Sequence, residues 1–164
     1  GDGAKPRPTG EVVETVNGIR RKRLGGGDIV VSEVALGTQR WASADFNAPD
    51  EAACAALLDR AVLGGGVNLV DTAEQYPIPS GPNSREGLCE ELIGRWCKAG
   101  PGRREKLVVA SKITGGPRSV SSAKRIVAQC EGSLRRLGTD YLDVYQLHWP
   151  ARYSPQANWG QSLA

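Results

Sequence analysis

The sequence predicts an α/β protein in which parallel strands alternate with helices and curve toward a barrel. Three observations carry this. Short runs rich in Val and Leu, over 34–37, 67–71, 107–111 and 141–147, recur at intervals of about 33 to 40 residues, enough for the crossover helix that parallel strands require. Amphipathic segments of helical period fill the intervals. Three of the runs end on an ionisable residue, Asp71, Lys112 and His148, and the carboxyl ends of strands are where a parallel barrel carries its chemistry.

Taken in order, residues 1–18 are rich in Gly, Pro, Thr and charge and predict a disordered tail ahead of one domain over 19–164. Residues 20–24, the glycine-rich 25–28 and residues 29–32 read as strand, turn and strand, a hairpin. After the first parallel strand, Pro49, Asp50 and Glu51 suit a helix start by fixed φ and by the dipole. That helix carries Cys54, Leu57, Leu58, Ala61 and Val62 as one stripe and stops at Gly64. The second helix is expected from about Ser84 to Lys98, with Leu88, Cys89, Leu92, Ile93 and Trp96 inward. The third is expected from about Ser122 to Leu137, with Ile126, Cys130, Leu134 and Leu137 toward the sheet and Gly138 ending it. The expectation is thus about four parallel strands, three helices and a hairpin.

Composition narrows the class. A charge of +3 with 40% hydrophobic and 24% charged residues suits a soluble globular protein, and no apolar run approaches the roughly 20 residues needed to cross a bilayer. The 164 residues fall short of the about 250 of a complete (β/α)8 barrel. With no methionine at its start, the chain is expected to be part of a longer product, truncated after the fourth strand. Cys54, Cys89, Cys97 and Cys130 are too widely spaced for a metal site, and none is expected. They read as reduced thiols of a reducing compartment, the cytoplasm, with a plastid or other organelle left open. The basic run Arg20-Arg21-Lys22-Arg23 reads as a solvated hairpin edge, so neither nucleic acid nor membrane is an expected partner. Oligomeric state is left open.

Neighbouring strands about 4.8 Å apart place Asp71, Lys112 and His148 along an arc of roughly 10 Å. Tyr76, five residues past Asp71, can swing over the same mouth. A lysine held charged by a carboxylate is expected to pull a nearby phenol below its usual pKa of about 10, making it a proton donor to a developing alkoxide. A neutral histidine can orient the same carbonyl oxygen. No side chain supplies hydride, so a nicotinamide cofactor is implied. Trp41, near the exit of the first strand, is a candidate wall of the substrate pocket.

Four motifs in order carry a resemblance: Arg23-Leu24-Gly25 with Val31 to Thr38, Gly66 to Tyr76, Ala110-Ser111-Lys112, and Gly138 to Pro150. Over about Arg21 to Pro150 the chain resembles the amino-terminal half of an aldo-keto reductase, and it is most similar to the bacterial Tas-like branch. The resemblance implies a (β/α)8 TIM barrel closed at its base by a hairpin, an NADP-dependent oxidoreductase that uses NADPH to reduce an aldehyde or ketone. It implies Tyr76 as proton donor, Lys112 and Asp71 as the groups tuning it, and His148 as the residue orienting the carbonyl. Tyr76 and His148 would touch substrate, and Gly37, Thr38 and Asp71 would face the cofactor. The parts of such proteins that stack on nicotinamide and grip the 2′-phosphate belong to the carboxyl-terminal half, so the chain alone is expected to be inactive. A second class stays open: a non-catalytic regulatory or scaffold barrel, as in the potassium-channel β subunits of the family. Those proteins depart at the histidine position, and His148 favours the enzyme.

Overall fold

A computed structural model describes residues 10–44, 47–79, 81–114 and 122–149. The first nine residues of the expected tail, and all that follows Trp149, lie outside them. Strands β1 (Val12–Val16), β2 (Ile19–Arg23) and β3 (Val30–Ser32) form an antiparallel sheet in that order. Strands β4 (Ala35–Gly37), β5 (Leu69–Asp71), β6 (Val108–Ile113) and β7 (Val144–Leu147) form a parallel sheet in sequence order. Helices α1 (Glu51–Leu58), α2 (Leu88–Lys98) and α3 (Ala123–Leu137) cross between consecutive parallel strands.

The expected hairpin is present, closed by Leu24 N–H donating to Ile29 O at 2.9 Å. The tail assignment is corrected, because Val12–Val16 pairs with β2. Charge had argued for disorder there, yet acids in and just before this strand meet the basic run: Arg21 pairs with Glu14 at 3.0 Å and Arg23 approaches Glu11 at 3.8 Å. Glu33 takes Arg20 and Lys22 at 2.7 and 3.4 Å, which holds its carboxyl down to about 2.

Asn68, a polar residue inside an apolar run, fastens the hairpin sheet to the parallel sheet. Its Oδ1 accepts from Ser32 N–H at 2.7 Å, its own N–H donates to Ser32 Oγ at 3.0 Å, and its Nδ2 donates to Val30 O at 2.8 Å. All this lies beneath the amino-terminal end of β5, opposite the strand ends that carry ionisable residues.

Helix boundaries follow local chemistry. Asp50 caps α1 by accepting from Ala53 N–H at 2.8 Å, and Ser122 caps α3 by accepting from Arg125 N–H at 3.3 Å. Helix α1 continues in wider π turns over Asp59–Gly64. Its stripe buries Cys54, Leu58 and Val62, but Leu57 stays 44% exposed, because the outer edge of β4 has no neighbour among the described residues to cover it. Helix α2 starts at Leu88 rather than Ser84, since Gly87 at φ +88 breaks the helical path and Ser84 is turned back onto Gly81. Strand β7 starts at Val144 rather than Tyr141. There the Asp143 carboxylate replaces a ladder carbonyl, accepting from Val109 N–H at 2.9 Å and pairing with Arg104 at 2.8 Å.

The core lies between sheet and helices and includes Cys54, Leu58, Val70, Cys89, Leu92, Ile93, Trp96, Val109 and Leu137. Gly94 lets α2 and α3 meet, for a Cβ there would stand 2.6 Å from Leu137 O and 2.7 Å from Arg136 O. Both obstacles are backbone, so Gly94→Ala must part the helices. It is expected to cost about 1–3 kcal/mol, read as a lower urea midpoint; an unchanged midpoint would mean that this contact is slack.

Candidate active site

Register brings the strand ends to one level. Gly37 pairs with Asp71 and Asp71 with Ala110 across the parallel sheet, and His148 follows β7 directly, its N–H donating to Ile113 O at 3.0 Å. The loop after β5 returns Tyr76 over these ends. Its backbone is held from both sides, with Tyr76 N–H on Ala73 O at 3.1 Å and Gly87 N–H on Tyr76 O at 3.0 Å.

Lys112 is the hub. Its Nζ stands 2.7 Å from Asp71 Oδ1, donates to Thr72 O at 2.8 Å and reaches Tyr76 Oη at 3.3 Å, which occupies all three ammonium hydrogens. The same nitrogen lies 4.8 Å from the centroid of the Tyr76 ring. The Lys112 side chain is 12% exposed and that of Asp71 is 37% exposed, so the pair opens to solvent on the carboxylate side. The His148 ring meets Tyr76 edge-on at 5.6 Å and 75°, and stacks on Trp149 at 4.9 Å and 20°. Asp71, Tyr76, Lys112 and His148 thus form one cluster.

The phenol departs from expectation. Tyr76 is only 6% exposed, and its pKa is pushed up to about 12, chiefly by burial, with the charge of Asp71 and the Cys89 thiol adding. The anticipated fall below 10 fails because desolvation outweighs the lysine and the Asp71 carboxylate adds to the rise. The phenol therefore keeps its proton throughout the neutral range. Lys112 still donates to its oxygen, ready to stabilise the phenolate as the proton leaves. Burial, with the Lys112 charge adding and Asp71 opposing, lowers the pKa of His148 below 6.5, which keeps the imidazole neutral at pH 7.

Other candidates sit differently. Trp41 is 7% exposed and belongs to the core cluster that also holds Tyr76; Cys89 Sγ donates to its carbonyl and to that of Thr38, at 3.2 and 3.0 Å. Thr38 is fully buried, with its N–H and hydroxyl both on Asp71 O at 3.0 Å, so it steadies Asp71 from behind. Gly37 presents bare backbone, with no heavy atom within 4 Å of where a Cβ would stand. An open backbone beside a strand-end carboxylate fits the approach of a flat ring such as nicotinamide. All four cysteines are free, Cys54 and Cys89 buried and the other two half-buried. No helix among the described residues is long and apolar enough to cross a membrane.

Sequence reasoning gave no role to Thr72, Gln75, Glu90, Arg136 or Trp149, all of which shape the site or its support. Glu90 in the first turn of α2 and Arg136 in the last turn of α3 were visible, but nothing in their spacing showed that they meet.

The family model described as Aldo/keto reductase family matches residues 33–163. Protein tas of Escherichia coli strain K12 is 40% identical over 139 residues, covering 79% of this chain and 38% of that protein. A solved Pseudomonas aeruginosa protein assigned to the aldo-keto reductases superposes with a TM-score of 0.63 at 29% identity, over 84% of this chain and 50% of that one. An aldo/keto reductase of Klebsiella pneumoniae, solved with NADP and acetate, gives a TM-score of 0.53 at 32% identity, over 77% of this chain and 38% of its own. The chain thus spans two fifths to one half of the length of these relatives. A matched family model over most of the chain, together with a parallel sheet whose ends gather an acid, a lysine, a tyrosine and a histidine, places this chain in the aldo/keto reductase family.

Proposed function

We propose that the four parallel strands are the first half of a (β/α)8 barrel that reduces an aldehyde or ketone to an alcohol with NADPH. One observation carries the reading: a single ammonium bridges Asp71 at 2.7 Å and the Tyr76 phenol at 3.3 Å, with the His148 ring 5.6 Å from that phenol ring. The bound cofactor would supply the hydride. It would lie against Gly37 and Asp71; that the Klebsiella relative was solved with NADP supports the choice of cofactor.

A carbonyl oxygen placed between Tyr76 and His148 receives a hydrogen bond from each. As negative charge grows on it, the Tyr76 proton transfers to form the alcohol, and Lys112 holds the phenolate left behind. Asp71 holds the Lys112 ammonium aimed at the phenol. Trp41 lends the pocket its rigid back wall. The reduced cysteines suit the cytosol.

Lys112→Met is expected to lower turnover by about 10²-fold or more and to shift the alkaline limb of its pH profile upward, because the phenolate loses its donor. Unchanged turnover would remove Lys112 from the mechanism. On the acid side, reduction is expected to fall once pH drops through the lowered pKa of His148, below 6.5, because a protonated ring is repelled by Lys112 and displaces the neutral arrangement. Activity that is flat through that range would contradict a neutral-histidine role. The 164 residues alone, with the edges of β4 and β7 unpaired among the described residues, are proposed to associate in solution and to reduce no carbonyl; monomeric, active material would refute this.

A further inference from the structure

A histidine that works at a site is ordinarily aimed by a hydrogen bond on the nitrogen turned away from substrate. His148 lacks this aid, for its Nδ1 is buried and has no partner among the described residues. What fixes the ring is aromatic. It stacks on the indole of Trp149 at 4.9 Å and 20°, while Tyr76 meets it edge-on at 5.6 Å.

A stacked plane sets an angle only if the plane is itself held. The Trp149 indole is held by donation from Nε1 to Gln75 Oε1 at 3.4 Å. Gln75 is half-buried and directly precedes Tyr76. The contacts therefore close on themselves, from Gln75 to Trp149, to His148, to Tyr76, and back through one peptide unit. They join the loop after β5 to the end of β7, two strands that are not neighbours in the sheet.

We propose that Gln75 and Trp149 are positioning residues that set the angle of the His148 imidazole toward Tyr76, an indole tethered to the tyrosine's own loop doing what no Nδ1 hydrogen bond does among the described residues. The inference rests on the reductase reading for its purpose, since the two groups so aligned are those that grip the carbonyl. Its geometry stands without that reading. A shift of the Tyr76 loop carries Gln75 with it and re-aims the imidazole, so the donor and the orienting ring move together.

His148 is the only histidine among these 164 residues, and in the full-barrel protein its imidazole ring-proton NMR signal is identified by its disappearance in His148→Asn. Measured near pH 8, with the ring neutral and neither nucleotide nor substrate present, that signal is shielded by the indole face. Gln75→Met keeps side-chain length and removes the acceptor; it is expected to move the signal downfield. Gln75→Glu keeps the acceptor and should hold it near its original place. When Trp149→Phe is already present the tether is gone, and adding Gln75→Met should then shift nothing further, the mark of two residues acting through one bond. A signal indifferent to Gln75→Met, or a shift of equal size with and without Trp149→Phe, overturns the proposal. If Trp149→Phe disturbs folding, the contrast between Gln75→Met and Gln75→Glu decides alone. Because no turnover is read, a barrel without reductase activity leaves this result standing, and failure of the tether leaves the reductase reading untouched.

Discussion

Replacing Tyr76 with phenylalanine in the full barrel is expected to lower carbonyl reduction by about 10²–10⁴-fold, the range for loss of a positioned general acid, while NADPH affinity stays nearly unchanged. The substitution is clean for structural reasons. The ring is 6% exposed and packed in the core cluster, and phenylalanine fills the same space. Only the oxygen leaves, and Lys112 keeps its contacts to Asp71 at 2.7 Å and Thr72 O at 2.8 Å. The groups proposed to face the cofactor, Gly37 and Asp71, are unchanged by the substitution. Steady-state kinetics with an aldehyde, beside a fluorescence titration with NADPH, separates the two effects. Near-native turnover by the variant would show that the proton comes from elsewhere.

Arg136→Met is expected to destabilise the protein by about 3–5 kcal/mol, the cost of leaving a buried charge without its partner. Glu90 is fully buried in the first turn of α2. It accepts from Arg136 Nε at 2.6 Å and from Ser111 Oγ at 2.6 Å, which ties both helices to β6 one residue before Lys112. Two glycines admit the guanidinium: a Cβ at Gly87 would stand 2.5 Å from Arg136 Cδ, and one at Gly132 would stand 3.2 Å from its Nη1. With the arginine gone, Glu90 stays fully buried and retains the Ser111 hydroxyl as a donor. Glu90→Leu combined with Arg136→Met should recover much of the loss, since an apolar pair pays no desolvation. Urea midpoints for the single and double variants measure this. A single variant as stable as the parent would mean that the bridge contributes nothing.

Period and punctuation made the parallel strands and their helices legible, because Val-rich runs and amphipathic stripes report burial directly. The strand ends were legible for the same reason, since Asp71 and Lys112 interrupt apolar runs where no core position would tolerate them. Electrostatic balance was not. That Lys112 lowers the Tyr76 pKa seemed to follow from residue types, yet the sign depends on how completely Asp71 compensates the lysine and on how dry the phenol is. Distances and burial decide such matters. Long-range polar contacts were hidden as well: Asn68 with Ser32, Glu90 with Arg136 and Gln75 with Trp149 are separated by tens of residues, and side-chain hydrogen bonds leave no periodic trace. The strand at Val12–Val16 was missed because it is an exposed edge whose pairing relies on charge matching rather than on apolar alternation.

Whether the full-length protein is a reductase or a non-catalytic scaffold is settled most directly by following NADPH and product together. The full-barrel protein, mixed with NADPH and a panel of simple aldehydes and ketones, is predicted to consume one NADPH for each alcohol formed. Firm NADPH binding with no consumption across the panel, while Asp71, Tyr76, Lys112 and His148 remain in place, would contradict the account.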